Sequence, residues 1–230
     1  MKSLSFRVWG RYALFSDPLT RIGGEKSTLQ IPTYAALRGV CEGVYWKPSL
    51  ITVIESVTLL SPIRTESKGI RPIKYNGGND LSYYTYLKNP NYLVRFHYEF
   101  NQQRPELKND WNMNKHLAIF ERSLKKGGRR DIFLGTRECQ AYVETADENL
   151  TPYYQGEMDF DLMYHSISYA DENSDQIMRV NFWRPHMQDG LIVYCRPEEC
   201  EVRRDIRQIP RRTFTIGENM KAVEQEEGDL

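Results

Sequence analysis

This sequence lacks net charge, long apolar runs and a signal peptide. Its 230 residues carry 31 Lys and Arg against 31 Asp and Glu, so the formal charge is zero. That balance disfavours a simple polybasic nucleic-acid binder, although binding depends on where the charges lie. The longest apolar tracts, such as residues 50–60, contain polar residues and fall short of the roughly 20 residues of a membrane span. No uninterrupted apolar core follows the N-terminus. We therefore expect a cytoplasmic protein.

Residues that bind metals or form disulfides are also scarce. The chain has four cysteines and four histidines, and no histidine shares a short metal-type spacing with another His or Cys. Four residues separate Cys195 from Cys200, a poor match to common zinc sites, and no second pair completes the set. The sequence also has no phosphate-binding glycine fingerprint and no serine elbow. We expect reduced thiols, no metal and no cofactor.

Hydrophobic periodicity predicts an α+β fold. With 40% hydrophobic and 12% aromatic residues, the composition is that of a globular chain of one or two domains. Thr33 is a candidate N-cap for a first helix that Pro48 ends. The predicted order is a strand from residue 4, this helix, a strand over 50–63, strands over 81–88 and 91–100, a helix over 110–126 and a strand over 131–145. This is the ferredoxin-like order, shared with the RNA recognition motif, with an extended middle β-hairpin.

The rest of the chain is predicted to contain short strands and turns. We place a ferredoxin-like N-terminal domain at residues 1–146 and a small β-rich C-terminal domain at residues 147–217. Residues 218–230 form an acidic tail, with five acidic residues against Lys221, and are expected to fray. Removing the tail leaves the remaining chain at about +4, so the neutral total conceals a basic side.

Three residues are candidates for chemistry. In the second predicted helix Lys115 precedes His116, and an imidazole beside an ammonium can move a proton and stabilise negative charge on a phosphorane. A solvated helix start is the more common explanation of such a pair. Tyr45, at the end of the first helix, can orient a ribose hydroxyl, although a tyrosine there is more often a hydrophobic anchor.

Basic residues cluster despite the neutral total, in the pattern expected of an RNA-binding protein. A glycine pair within the cluster lets the backbone approach phosphates closely. Favourable cations at a helix C-terminus account for two of the residues, Lys125 and Lys126, without RNA. The predicted RNA-binding residues are Arg122, Lys125, Lys126, Arg129, Arg130 and Arg137.

Two blocks of sequence resemble a known family. The first is Val8-Trp9-Gly10-Arg11-Tyr12-Ala13-Leu14-Phe15 followed by Pro32-Thr33-Tyr34-Ala35-Ala36-Leu37-Arg38-Gly39, and the second is Phe133-Leu134-Gly135-Thr136-Arg137-Glu138-Cys139-Gln140-Ala141-Tyr142-Val143. In these blocks the chain resembles the CRISPR-associated Cas-five family, in its subtype I-C (Dvulg) branch, within the repeat-associated RNA-binding superfamily.

The resemblance implies a function. Subtype I-C members are expected to cut the CRISPR precursor transcript at the base of the repeat hairpin. They are then expected to stay on the 5′ handle of the guide RNA, beside the backbone and large subunits of the surveillance complex. Members of this branch are similar in using a Tyr and a Lys-His pair, which match Tyr45, Lys115 and His116. The 2′-hydroxyl would attack the adjacent phosphate without a metal and leave a 2′,3′-cyclic phosphate.

Two other functions remain open at this point. One is a non-catalytic subunit that caps the guide RNA handle, and the weaker one is non-specific binding of duplex DNA through the basic clusters. The sequence does not assign the acid and the base among the three catalytic candidates.

Overall fold

A computed structural model describes residues 2–146, 150–170 and 172–209 of the chain. Strands dominate this part, and two α-helices accompany them, so the architecture is α+β. In chain order the strands are β1 (Leu4–Gly10), β2 (Tyr12–Ala13), β3 (Leu50–Leu59), β4 (Thr65–Ile70), β5 (Ser82–Lys88), β6 (Asn91–Phe100), β7 (Ala141–Thr145), β8 (Glu157–Asp159), β9 (Met163–Ser168), β10 (Ile177–Trp183), β11 (His186–Gln188), β12 (Leu191–Val193) and β13 (Val202–Gln208). The α-helices are α1 (Tyr34–Val44) and α2 (Met113–Lys125), and 3-10 helices span Thr20–Gly23, Pro105–Asp110 and Pro197–Glu199.

The largest sheet has seven strands in the order β7-β1-β6-β3-β12-β11-β8, and every neighbouring pair is antiparallel. Alternation along the strands sends one set of side chains to the core. Phe6 of β1 and Phe96 of β6 pack edge to face, with ring centroids 5.8 Å apart, and both contact Phe120 of α2. Residues of α1 belong to the same buried cluster, so both helices cover one face of this sheet.

The two helices begin where side chains cap them. Thr33 Oγ1 accepts a hydrogen bond from the Ala36 backbone at 3.1 Å, which confirms the predicted N-cap of α1. Asn112 Oδ1 caps α2 in the same way by accepting from the Lys115 backbone at 3.1 Å. Helix α2 therefore begins three residues later than predicted, because the chain up to Asp110 forms a separate 3-10 helix. This short segment contributes to the candidate site.

The middle hairpin differs from the prediction. The strands over 81–88 and 91–100 were expected to pair, but β5 pairs with β4 and β2 in a separate three-stranded sheet, while β6 lies in the main sheet. The chain bends between them at Asn89, whose φ is 50°, and Asn89 N donates to Arg11 O at the matching bend between β1 and β2. The extended hairpin is thus β4–β5, and the loop between its strands turns at Gly77 and Gly78, each with φ of 82°.

The predicted strand over 131–145 is too long. Only β7 is a strand, and the residues before it form a loop that packs on Leu14. Gly135 has a φ of 88°, and a Cβ at this position would collide with the Leu14 carbonyl. The backbone conformation available to glycine thus ends the extended run and turns Arg137 onto the surface.

Strands after residue 150 contribute to two sheets. Strand β12 pairs with β3, so β12, β11 and β8 extend the main sheet, whereas β9, β10 and β13 form a three-stranded sheet. The predicted domain boundary at residue 147 remains a prediction, and the predicted tail at residues 218–230 lies outside the described residues. None of the described helices has the length and apolar character needed to cross a membrane.

Candidate active site

Tyr45 and His116 meet although 71 positions separate them in the sequence. Tyr45 is the first residue after α1, and its extended backbone, with φ of −159° and ψ of 128°, turns it away from the helix. His116 lies in the first turns of α2. The two helices pack side by side, and Tyr45 Oη lies 2.9 Å from His116 Nδ1. Tyr98 Oη donates to the Tyr45 carbonyl at 3.2 Å and fixes the backbone there.

The backbone of Asp110 determines which nitrogen of His116 carries the proton. His116 Nε2 lies 2.8 Å from the Asp110 carbonyl oxygen, which can only accept a hydrogen bond. In the neutral imidazole Nε2 is therefore protonated, and Nδ1 accepts the Tyr45 hydroxyl. The phenol and the imidazole form a directed chain in which a proton can pass from Tyr45 to His116.

Both members of this pair are buried. His116 has no exposed surface and Tyr45 is 1% exposed, so a solvated helix start does not describe this histidine. Burial raises the pKa of the Tyr45 phenol above its ordinary value, the negative charge of Asp110 raises it further, and Arg129 lowers it. The phenol therefore keeps its proton near neutral pH and acts as a donor to His116, not as a free phenolate base.

Lys115 stands at the surface beside the buried pair, and the Asp110 carboxylate binds it. Lys115 Nζ pairs with Asp110 Oδ1, and Ser49 Oγ donates to Asp110 Oδ2 at 2.6 Å. The hydrogen bond from Lys115, and after it the one from Ser49, lowers the pKa of the Asp110 carboxyl to about 2. Asp110 is therefore ionised at neutral pH, and its Oδ2 lies 3.6 Å from His116 Nε2, where it stabilises an imidazolium.

The predicted RNA-binding residues lie next to this site. The backbone N–H groups of Arg129 and Arg130 both donate to the Gly43 carbonyl near the end of α1, at 3.2 and 3.0 Å. These contacts hold the glycine-containing loop against Gly43, two positions before Tyr45 in the chain. All six predicted residues are exposed, and none of them pairs with a carboxylate within the described part of the chain. We call Arg122, Lys125, Lys126, Arg129, Arg130 and Arg137 the basic cluster.

An open groove runs between the end of α1 and the loop before β7. Two members of the basic cluster, Arg130 and Arg137, line it together with the aromatic residues Trp46 and Phe133. Trp46 is 45% exposed and Phe133 is 39% exposed, which is unusual for large apolar side chains. Exposed rings between arginines suit stacking on unpaired bases with phosphates close by.

Sequence reasoning missed four residues of this site. Asp110 and Ser49 were not singled out, because Asp110 acts through its carboxylate and backbone carbonyl and Ser49 through its hydroxyl, and tertiary packing places all three groups. Trp46 and Phe133 were not singled out as site residues either. An aromatic residue next to Tyr45, just past a helix end, was the one available signal.

Comparison with known proteins identifies relatives. Residues 3–194 match the model of a family described as CRISPR-associated protein (Cas_Cas5), under the family name Cas_Cas5d. A protein of Mannheimia succiniciproducens named CRISPR pre-crRNA endoribonuclease Cas5d is 26% identical over 219 residues, which cover 82% of this chain and 93% of that protein. A protein of Thermus thermophilus with the same name is 32% identical over 157 residues, covering 64% of this chain and 66% of that one.

Solved structures share the fold. A crystal structure of a CRISPR-associated protein superposes with a TM-score of 0.76 at 34% identity, covering 88% of this chain and 96% of the other. A functionally uncharacterized protein from Streptococcus mutans gives a TM-score of 0.74 at 36% identity and covers 88% of this chain and 97% of its own.

Proposed function

Because the chain belongs to the CRISPR-associated Cas5d family, we propose that it is an endoribonuclease that cleaves CRISPR precursor RNA. The cut lies at the base of the repeat hairpin, and the protein then stays on the 5′ handle of the guide RNA within a type I-C surveillance complex. The single observation that carries the catalytic part is the hydrogen bond of 2.9 Å between Tyr45 Oη and His116 Nδ1. Relatives named pre-crRNA endoribonuclease support the choice of substrate.

The first chemical step uses the directed chain of hydrogen bonds. The 2′-hydroxyl donates to Tyr45 Oη, and as its oxygen attacks phosphorus, its proton moves to Tyr45 while the Tyr45 proton moves to His116 Nδ1. The imidazolium so formed is stabilised by the Asp110 carbonyl and carboxylate. His116 is thus the base and acts through Tyr45. The Tyr45 phenol, whose pKa is raised, relays a proton and does not have to be ionised beforehand.

Lys115 stabilises the charge that develops on phosphorus. The Lys115 ammonium is paired with Asp110 in the absence of RNA. During the reaction the negatively charged phosphorane competes with the Asp110 carboxylate for this ammonium. The 5′ oxygen departs with the bonding electron pair of the P–O5′ bond and takes a proton from water, which leaves a 2′,3′-cyclic phosphate and a 5′-hydroxyl, and the His116 imidazolium then returns its proton to solvent. No step uses a metal, since Asp110 is the carboxylate that contacts this group of residues and it is engaged by Lys115 and Ser49.

The RNA path follows the groove and the basic cluster. Tyr45 and His116 are buried, so binding must open the surface between the groove and the Lys115–Asp110 pair. We place the hairpin base there, with unpaired bases on Trp46 and Phe133. The scaffold is a ferredoxin-like unit formed by β1, β3, β6, β7, α1 and α2, supported by the strand order β7-β1-β6-β3. Guide RNA and the other complex subunits are the partners, in the cytoplasm.

A repeat RNA with deoxyribose at the nucleotide 5′ of the cut tests this function. The purified protein is expected to cut the all-ribose repeat and to bind the deoxy-substituted RNA equally well without cutting it, because the nucleophile is missing. End-labelled RNA on a denaturing gel measures cleavage, and filter binding measures affinity. A deoxyribose one nucleotide further 5′ is the matched control, and it should leave cleavage intact.

The same assay distinguishes the remaining functions. Cleavage of the substituted RNA, or loss of cleavage in brief EDTA treatment with the fold intact, contradicts the mechanism. Tight binding of repeat RNA with no cleavage of the all-ribose form identifies a non-catalytic subunit. Equal affinity for unrelated duplex DNA, with a steep salt dependence, identifies a non-specific binder instead.

Removing two arginines of the basic cluster should weaken RNA binding without changing the chemistry. Arg130→Ala with Arg137→Ala is expected to lower affinity about 10- to 100-fold at moderate salt and to reduce the salt slope by about 1.4, at about 0.7 per phosphate contact. Arg184→Ala, an exposed arginine paired with Glu201 on another part of the fold, is the control and should have little effect. An unchanged salt slope in the double variant would remove these arginines from the RNA path.

A further inference from the structure

A second group of chemically reactive side chains lies away from the Tyr45–His116 pair. His165 projects from β9, Cys195 follows β12, and Cys200 follows the 3-10 helix Pro197–Glu199. The two sulfur atoms are 3.7 Å apart, and the three donor atoms all lie within 4.8 Å of one another. Nothing in the proposed cleavage reaction uses these residues.

The donor set and its spacing match a thiophilic metal site. Zinc–sulfur bonds are about 2.3 Å long, so two sulfurs on a tetrahedral ion lie about 3.8 Å apart. We propose that His165, Cys195 and Cys200 bind a zinc-class cation, with water at the fourth position. Cys195 is half-buried while the other two are buried, which leaves one open side for entry of the ion and for that water.

The surroundings of His165 orient its ring toward the two sulfurs. The ring stacks on Tyr34 with centroids 4.5 Å apart and meets the edge of Trp183 at 5.2 Å. Nδ1 lies 2.8 Å from Ser166 Oγ, and Nε2 lies 3.2 Å from the Cys195 carbonyl. On binding, the imidazole takes its other tautomer: the proton leaves Nε2, which gives up this weak hydrogen bond, and Nδ1 becomes protonated and donates to Ser166 Oγ. Such a partner on the second nitrogen is the usual support of a metal-bound imidazole. The thiols of Cys195 and Cys200 release their protons to solvent as the metal–sulfur bonds form.

A bound ion would connect the two sheets. Cys195 adjoins the main sheet through β12, whereas His165 belongs to the three-stranded sheet and Cys200 leads into its strand β13. The site therefore contributes to the stability of the C-terminal strands, independently of cleavage at His116. The proposal departs from the expectation of no metal, which considered Cys195 and Cys200 alone, since the third donor, His165, lies 30 positions from Cys195.

Cobalt binding to the full-length reduced protein tests the proposal. Co²⁺ is expected to bind at one equivalent, with a thiolate-to-cobalt charge-transfer band and the intense visible bands of tetrahedral cobalt, and Zn²⁺ should displace it. Cys195→Ser and Cys200→Ser should each weaken binding by more than about 100-fold, beyond the 10–100-fold that loss of an outer-shell partner produces. Cys139→Ser, which removes a buried thiol elsewhere, should leave the spectrum unchanged.

Two further measurements on the wild-type protein test the site even if a cysteine variant does not fold. In the wild-type protein Zn²⁺ should protect Cys195 and Cys200, but not Cys139, from alkylation under partial denaturation, and it should raise the melting temperature. Absence of the charge-transfer band, the same band in Cys200→Ser, or protection shared equally by Cys139 would overturn the proposal. Formation of a Cys195–Cys200 disulfide with no metal uptake by the reduced protein would overturn it too.

Discussion

Replacing His116 with alanine is expected to lower the rate of repeat RNA cleavage by about 10²- to 10⁴-fold while RNA affinity stays the same. His116 Nδ1 is the acceptor at the end of the directed chain, and no other side chain in the described residues is bonded to the Tyr45 hydroxyl. His116 is buried and does not line the groove, so it contributes to chemistry and not to binding. Single-turnover cleavage with excess protein measures the rate separately from affinity.

Three further variants make this result interpretable. His186→Ala removes an exposed histidine, which pairs with Asp159 at 2.7 Å, and should cleave normally. Tyr45→Phe keeps the ring and removes the hydroxyl that links substrate to His116, so it should lose most activity as well. His116→Asn keeps a polar group in the buried position and guards against unfolding, which the melting temperature monitors. Equal cleavage by the wild-type protein and a folded His116 variant contradicts the assignment.

Local rules of sequence predicted the helices and most strands. The side chain of Thr33 acts within a few residues, so the start of α1 could be anticipated, whereas α1 ends at Val44, four positions before the Pro48 that was expected to end it. Gly135 shows where such rules stop, since the strand is interrupted by contact with Leu14, more than 100 positions away. The pairing of β12 with β3 is equally nonlocal and has no local signal in the sequence.

In the candidate site, too, the residues could be named from the sequence, but their hydrogen bonding could not. Tyr45, Lys115 and His116 were named from residue chemistry together with a family resemblance, and the structure brings Tyr45 and His116 into hydrogen-bond contact. The direction of that bond could not be predicted, because it depends on the backbone carbonyl of Asp110 in a 3-10 helix that the sequence pattern had merged with α2. Substitutions at His116, Tyr45 and Lys115 test the catalytic role of each residue.

Replacing Lys115 with alanine is expected to lower the single-turnover rate by about 10²- to 10³-fold, the loss typical for one group that stabilises charge in a transition state. Affinity should fall only slightly, because Lys115 is neutralised by Asp110 until the phosphorane competes for it. The rate effect should be partly reversed in Lys115→Arg, which keeps the charge.

Lys125 is the matched control, since it is an exposed lysine in the last turn of the same helix. Lys125→Ala should lower affinity through the basic cluster and leave the single-turnover rate at saturating protein unchanged. The two variants therefore separate catalysis from electrostatic attraction on one helix. If Lys115→Ala instead behaves like Lys125→Ala, with weaker binding and an unchanged rate, Lys115 is a further phosphate contact and the phosphorane is stabilised by another group.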